Sequence, residues 1–102
     1  MSFTGTEGSI IPLEEGVEMT ARYRNAGLNT SKGVFFGNAL LQELTAPGTG
    51  ATGIRFYFAL DDNDNMTLVL VGVDAEGKDL ISRVGNKGEL SPPCSDLSSP
   101  LQ

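Results

Sequence analysis

The chain has 102 residues, 39% of them apolar and 20% charged, with a formal net charge of −6 from 13 acids against 7 bases. That length supports one modest core, and the apolar fraction is too high for a disordered chain. The bases, Arg22, Arg24, Lys32, Arg55, Lys78, Arg83 and Lys87, form no run. The concentrated positive surface that phosphate backbones and anionic lipids require is therefore missing, and neither nucleic acid nor a membrane is expected as a partner.

There is no histidine and only one cysteine, Cys94. Ser-His-Asp and Cys-His catalytic pairs are excluded, and so are the usual zinc sites. General acid–base chemistry would fall to carboxylates, Lys or Tyr. No apolar stretch approaches the roughly 20 residues that span a bilayer. The first residues lack the basic and apolar regions of a signal peptide. A lone cysteine fits a reducing compartment, and the expected location is the cytoplasm.

Residues 1–10 are polar and rich in Gly and Thr, which predicts an N-terminal arm. Pro12 then suits a first helical position, with Glu14, Glu15 and Glu18 after it, Arg22 and Arg24 near the far end, and Gly27 to close. Acids first, bases last, Pro at the start and Gly at the end match the helix dipole and capping preferences. Leu13, Val17, Thr20, Ala21 and Arg24 share one helical face, and Met19 and Tyr23 form a second stripe. Gly16 costs this helix about 1 kcal/mol relative to Ala, so packing must support it.

Residues 28–33 read as a polar linker and residues 34–36 as a stub of strand. The spacing of Phe36, Leu40, Leu41 and Leu44 predicts a short helix over 37–45, ended by Ala46-Pro47-Gly48. Gly53–Leu60 alternates with period two, as a half-buried strand does. Residues 61–65 form a turn cluster, and Met66–Val73 is apolar on both faces, as a central strand is. Residues 74–78 read as a turn with Gly77 in a left-handed position, followed by a third strand over 79–84. Residues 85–102 have the Pro/Ser-rich composition of a flexible tail.

The expected architecture is α+β: a single domain over 11–84, with two N-terminal helices packed on a three-stranded antiparallel meander. If the hairpins pair Leu60 with Met66 and Leu70 with Ser82, one face carries Ile54, Phe56, Phe58, Leu68, Leu70 and Val84, the core that the helices should cover. The other face carries Arg55, Tyr57, Val69, Val71, Val73, Ile81 and Arg83. It is too apolar for open solvent, and Tyr and Arg are typical of interfaces.

The segments Gly53-Ile54-Arg55-Phe56-Tyr57-Phe58-Ala59-Leu60-Asp61 and Thr67-Leu68-Val69-Leu70-Val71-Gly72-Val73-Asp74, followed by Gly77 and Asp79, resemble a group of small proteins from Bacteroidetes-type bacteria. The upstream Phe35-Phe36-Gly37 and the leading helix are similar too, so the resemblance spans about residues 11–80. It implies a shared fold and carries no activity. Many members end in Cys-Pro-Pro-x-Cys, where this chain has Ser91-Pro92-Pro93-Cys94-Ser95. Both motif cysteines are absent, so a redox or metal role for that ending does not carry over.

Two further patterns mimic binding motifs. Residues 48–53 spell the glycine pattern of a dinucleotide-binding loop, but they follow a helix and open a strand, the reverse of the order that brings pyrophosphate to a helix N-terminus. Asp61, Asn63 and Asn65 imitate the start of a calcium loop, yet Met66 and Gly72 stand where that loop needs Gly and a bidentate Glu. A plain loop and a hairpin turn are the simpler readings. Glu14, Glu15 and Glu18 suit the helix dipole better than a catalytic pair. Nothing near Cys94 activates a thiol. No cofactor, metal or catalytic residue is expected.

Two classes of function remain. The first is a non-catalytic interaction module that forms a homodimer, or binds another protein, through Arg55, Tyr57, Val69, Val71, Ile81 and Arg83. The second is a small-molecule binder or enzyme with a pocket between helices and sheet that uses Tyr23, Tyr57 or Arg55.

Overall fold

A computed structural model describes residues 2–102. The fold is α+β, with two helices and antiparallel sheets, in the order α1 (Leu13–Ala26), β1 (Gly33–Phe35), α2 (Asn38–Leu44), β2 (Gly53–Leu60), β3 (Met66–Val73), β4 (Asp79–Gly85) and β5 (Glu89–Ser91). The meander β2-β3-β4 is present, and β1 and β5 form a second, two-stranded sheet. Five strands thus replace the three expected, and α2 lies between β1 and β2 rather than in an uninterrupted helical N-terminal half.

Helix α1 ends as its sequence requires. Gly27 takes φ 64° and returns its N–H to the Arg24 carbonyl, a left-handed cap that a Cβ would disfavour. Pro12 is the residue just before the first turn, with φ −60°. No residue of α1 is buried, so its support comes from elsewhere in the chain. Leu101 lies over Gly16, its Cδ2 atom 3.6 Å from where a Cβ would stand. Arg24 Nη1 donates to the Leu101 carbonyl at 2.9 Å. Residues 85–102 are therefore folded back on the domain: β5 pairs with β1, placing Leu90 opposite Val34, and the end of the chain straps α1.

The β2–β3 register is the one the alternation demands, with Leu60 opposite Met66, Phe58 opposite Leu68 and Phe56 opposite Leu70. Its turn is held by Asp61, whose Oδ1 accepts the N–H groups of Asn63 and Asn65, each at 2.9 Å. Asn29 anchors the same turn from outside. Its Oδ1 accepts the Met66 N–H, and its Nδ2 donates to the Asp64 carbonyl. In the second turn the Asp74 carboxylate accepts the Lys78 and Glu76 N–H groups, which hold it below the ordinary carboxylate range.

The third strand departs from its expected register. Val73 pairs with Asp79 as expected, but then β4 advances five residues while β3 advances two. Val71 faces Val84, and Leu70 faces Gly85 rather than Ser82. The slip has a steric reason. A Cβ at Gly85 would stand 2.8 Å from Leu40 Cδ2, so the bulge slides a glycine beneath α2 where a serine would clash. Gly72, beside it on the same face, lets the Leu44 carbonyl approach to 2.6 Å of its missing Cβ. The helix therefore crosses β3 and β4 at two glycines, and Leu44 and Leu70 are buried there. Val84 moves to the opposite face from the one expected.

Candidate functional site

The two faces of the meander are covered by different parts of the chain. On one face, α2 covers Leu70, and α1 approaches the far end, where Tyr23 Oη donates to Met66 Sδ at 3.7 Å. Where α1 faces β1 and the start of β3, a groove of about 260 Å³ is lined by Met19, Tyr23, Val34, Met66 and Leu68. This cover falls on β3 and β4. On β2 the same face stays open: Phe56 and Phe58, expected in the core, are 49% and 83% exposed, and Leu60 is exposed too.

The other face is closed within the chain at its centre. Val71, expected at the middle of an interface, is only 3% exposed, and Val73 is buried beside it. Arg55, paired with Val71 in the ladder, folds its guanidinium onto Asp79 at 2.5 Å. The Tyr57 hydroxyl donates to the second Asp79 oxygen. The Phe3 ring lies over Arg55, 5.5 Å from its guanidinium carbon, and the Phe3 N–H donates to the Ala75 carbonyl at 2.9 Å. The N-terminal arm, far from loose, packs against this end of the sheet. Gly77, with φ 85°, leaves the space that the Phe3 ring fills.

The six residues expected to share one surface are thus divided. Arg55 and Tyr57 meet at Asp79, Val69 is half-buried and Val71 is buried. Ile81 stands exposed in the β4 bulge, and Arg83 reaches Glu43 of α2 at 2.6 Å, on the side of the helices. Tyr23 lies on the helix side against Met66, apart from the Arg55–Asp79–Tyr57 cluster, so the residues offered as alternatives for a pocket stand at two separate places. Residues 48–53 follow α2 and lead into β2, with the Thr49 N–H and hydroxyl both closing a turn on the Ala46 carbonyl. No cluster of potential metal ligands occurs among the described residues.

What stands out instead is the outer edge of β2. It is the end strand of its sheet. The Asp61 N–H donates to the Asn65 carbonyl, so by alternation the odd residues of β2 direct their backbone groups at β3. The N–H and C=O groups of Ile54, Phe56, Phe58 and Leu60 then point outward, with no backbone partner among the described residues. Eight residues run without proline or bulge, and Arg55, the one charge, is folded inward onto Asp79. The N-terminal arm reaches only the first half of the strand, where Phe3, Gly5 and Glu7 share a groove with Gly53–Phe56; over 57–60 the devices that normally protect a strand edge are absent. Sequence reasoning missed this site by assigning Phe56 and Phe58 to the core. The available signal was an aromatic, nearly uncharged strand at the first position of a meander.

The exposed surface is large for the mass. The chain presents 7340 Å², against about 5,500 Å² for a compact monomer of 10.8 kDa. Its radius of gyration of 15.1 Å likewise exceeds the roughly 13 Å of a compact 100-residue domain. No helix among the described residues is long and apolar enough to cross a membrane. No protein-family model matches the chain, and no curated protein and no solved structure shows detectable similarity to it.

Proposed function

We propose that the protein is a non-catalytic interaction module that acts by β-strand addition at the outer edge of β2. The observation that carries this is the eight-residue edge itself, with Phe58 83% exposed beside unpaired backbone groups. Main-chain hydrogen bonds to such an edge supply affinity, and side-chain pockets on alternate residues supply selectivity. Phe56 and Phe58 form the apolar half of that surface. Tyr57, half-exposed and tied to Asp79, offers an aromatic group on the other side.

Site-specific photo-crosslinking tests the idea. A benzoyl-phenylalanine at position 58 is expected to give a covalent protein adduct in cells, whereas one at Asn25, exposed on α1, gives none. No adduct from position 58, or equal yield from both, contradicts it. The adduct mass tells a second copy of this chain from any other protein.

A further inference from the structure

We infer that the strand added at β2 is β2 of a second copy of this chain, running antiparallel with Tyr57 on the twofold axis, so that two three-stranded sheets become one of six. This rests on the reading of the β2 edge given above and names its occupant.

Three observations point to a twin. The first is self-complementarity. A twofold axis at Tyr57 places Phe56 opposite Phe58, Ile54 opposite Leu60 and Arg55 opposite Ala59, so no like charges meet across the axis. The second is parity. The outward backbone groups belong to the even residues, and this register pairs even with even, so Ile54, Phe56, Phe58 and Leu60 of both copies exchange hydrogen bonds. An isologous interface needs one patch that is complementary to itself. A strand of this neutrality, with aromatic residues on both sides of its centre, meets that condition.

The third is area. The surplus surface over a compact monomer is about 1,800 Å² per chain. Homodimer interfaces of the obligate kind remove about 1,000 Å² or more from each partner. The surplus is thus large enough to supply a dimer interface, and Phe56, Phe58 and Leu60 contribute exposed apolar surface at the β2 edge, with Ile81 and Val84 exposed on β4. Facing Phe56 and Phe58 rings would lie within the 4.5–7 Å range of favourable aromatic pairs.

A disulfide scan reads the register. In this pairing the two Tyr57 residues form a non-hydrogen-bonded pair with Cα atoms about 4.5 Å apart, inside the range a disulfide spans. Phe56 meets its own twin only diagonally, at about 7–8 Å, and so does Phe58. In a Cys94→Ser background, Tyr57→Cys is expected to oxidise to a covalent dimer at least about tenfold faster than Phe56→Cys or Phe58→Cys. Faster bridging at 56 or 58 overturns the axis. The parent chain, free of any substitution, is measured by light scattering after size exclusion and is expected to be a dimer at about 100 μM, where even a micromolar complex persists. A monomeric parent overturns the twin. If position 58 still crosslinks to a different protein, the open edge stands and only its occupant is wrong.

Discussion

At one edge of the three-stranded sheet, β4 bulges between Asp79 and Val84, tucks Gly85 beneath Leu40 and sends Arg83 to Glu43 on α2. At the other, β2 runs eight residues without a bulge, keeps its one cation folded inward and leaves Phe56 and Phe58 uncovered. Bulges, charges and covering helices are how sheets avoid edge-to-edge pairing. This chain applies all three at β4, whereas at β2 only the N-terminal arm lies near the first half of the strand and the stretch 57–60 has none. A sheet guarded on one side only leaves one edge open to an added strand, and on the proposal made above that edge is β2.

Paired proline substitutions probe that contrast most strongly. The Tyr57 N–H points at β3, so Tyr57→Pro removes a ladder hydrogen bond and is expected to cost about 3 kcal/mol of stability or more. Phe58→Pro removes only an outward N–H and is expected to cost about 1 kcal/mol, while abolishing self-association. Urea unfolding followed by circular dichroism compares the two. Equal losses would mean that the backbone parity, and with it the open edge, is wrongly assigned.

Gly72→Ala tests the guarded side. Its Cβ would stand 2.6 Å from the Leu44 carbonyl, which belongs to the backbone, whereas at Gly85 the neighbour is the flexible end of Leu40. Gly72→Ala is expected to cost about 2–3 kcal/mol by overpacking, and Gly85→Ala less, because Leu40 can turn aside. Thermal unfolding of the two variants decides it, and a larger loss at Gly85 would contradict the packing of α2.

The ion pairs of the two edges should differ as well. Asp79 accepts from both Arg55 and Tyr57 in a partly buried setting, so Asp79→Asn is expected to destabilise by about 1–2 kcal/mol. Glu43 and Arg83 are well exposed, and Glu43→Gln is expected to cost under about 0.5 kcal/mol. Denaturation midpoints in low and high salt separate these effects, with only the smaller one lost to screening.

Much of the fold was legible because it is local. The β2–β3 hairpin follows from alternation and from Asp61 capping its own turn. Helix α1 follows from its acids, its bases and Gly27. The β4 register was not legible, since the residue that decides it, Leu40, lies on α2 across a sheet. The β1–β5 sheet was hidden for a similar reason. Three-residue strands such as Gly33–Phe35 and Glu89–Ser91 have no periodicity to detect, and a Pro/Ser-rich segment reads as loose until its distant partner is known. At the candidate site, Val71 and Val73, expected on an open face, are buried within the chain, and Phe56 and Phe58, expected in the core, are exposed. Arg55 and Phe3 close one face internally, and the helices stop short of β2 on the other.

Residue-resolved amide hydrogen exchange along β2 tests the central claim most directly. In dilute monomer, the amides of Arg55, Tyr57 and Ala59, bonded to β3, should be protected, and those of Ile54, Phe56, Phe58 and Leu60 should exchange freely. Raising the concentration, or adding the captured partner, should protect the second set and leave the first unchanged. Uniform protection along the strand at every concentration, or free exchange at the even positions under all conditions, would contradict the assignment of β2 as the working edge of this protein.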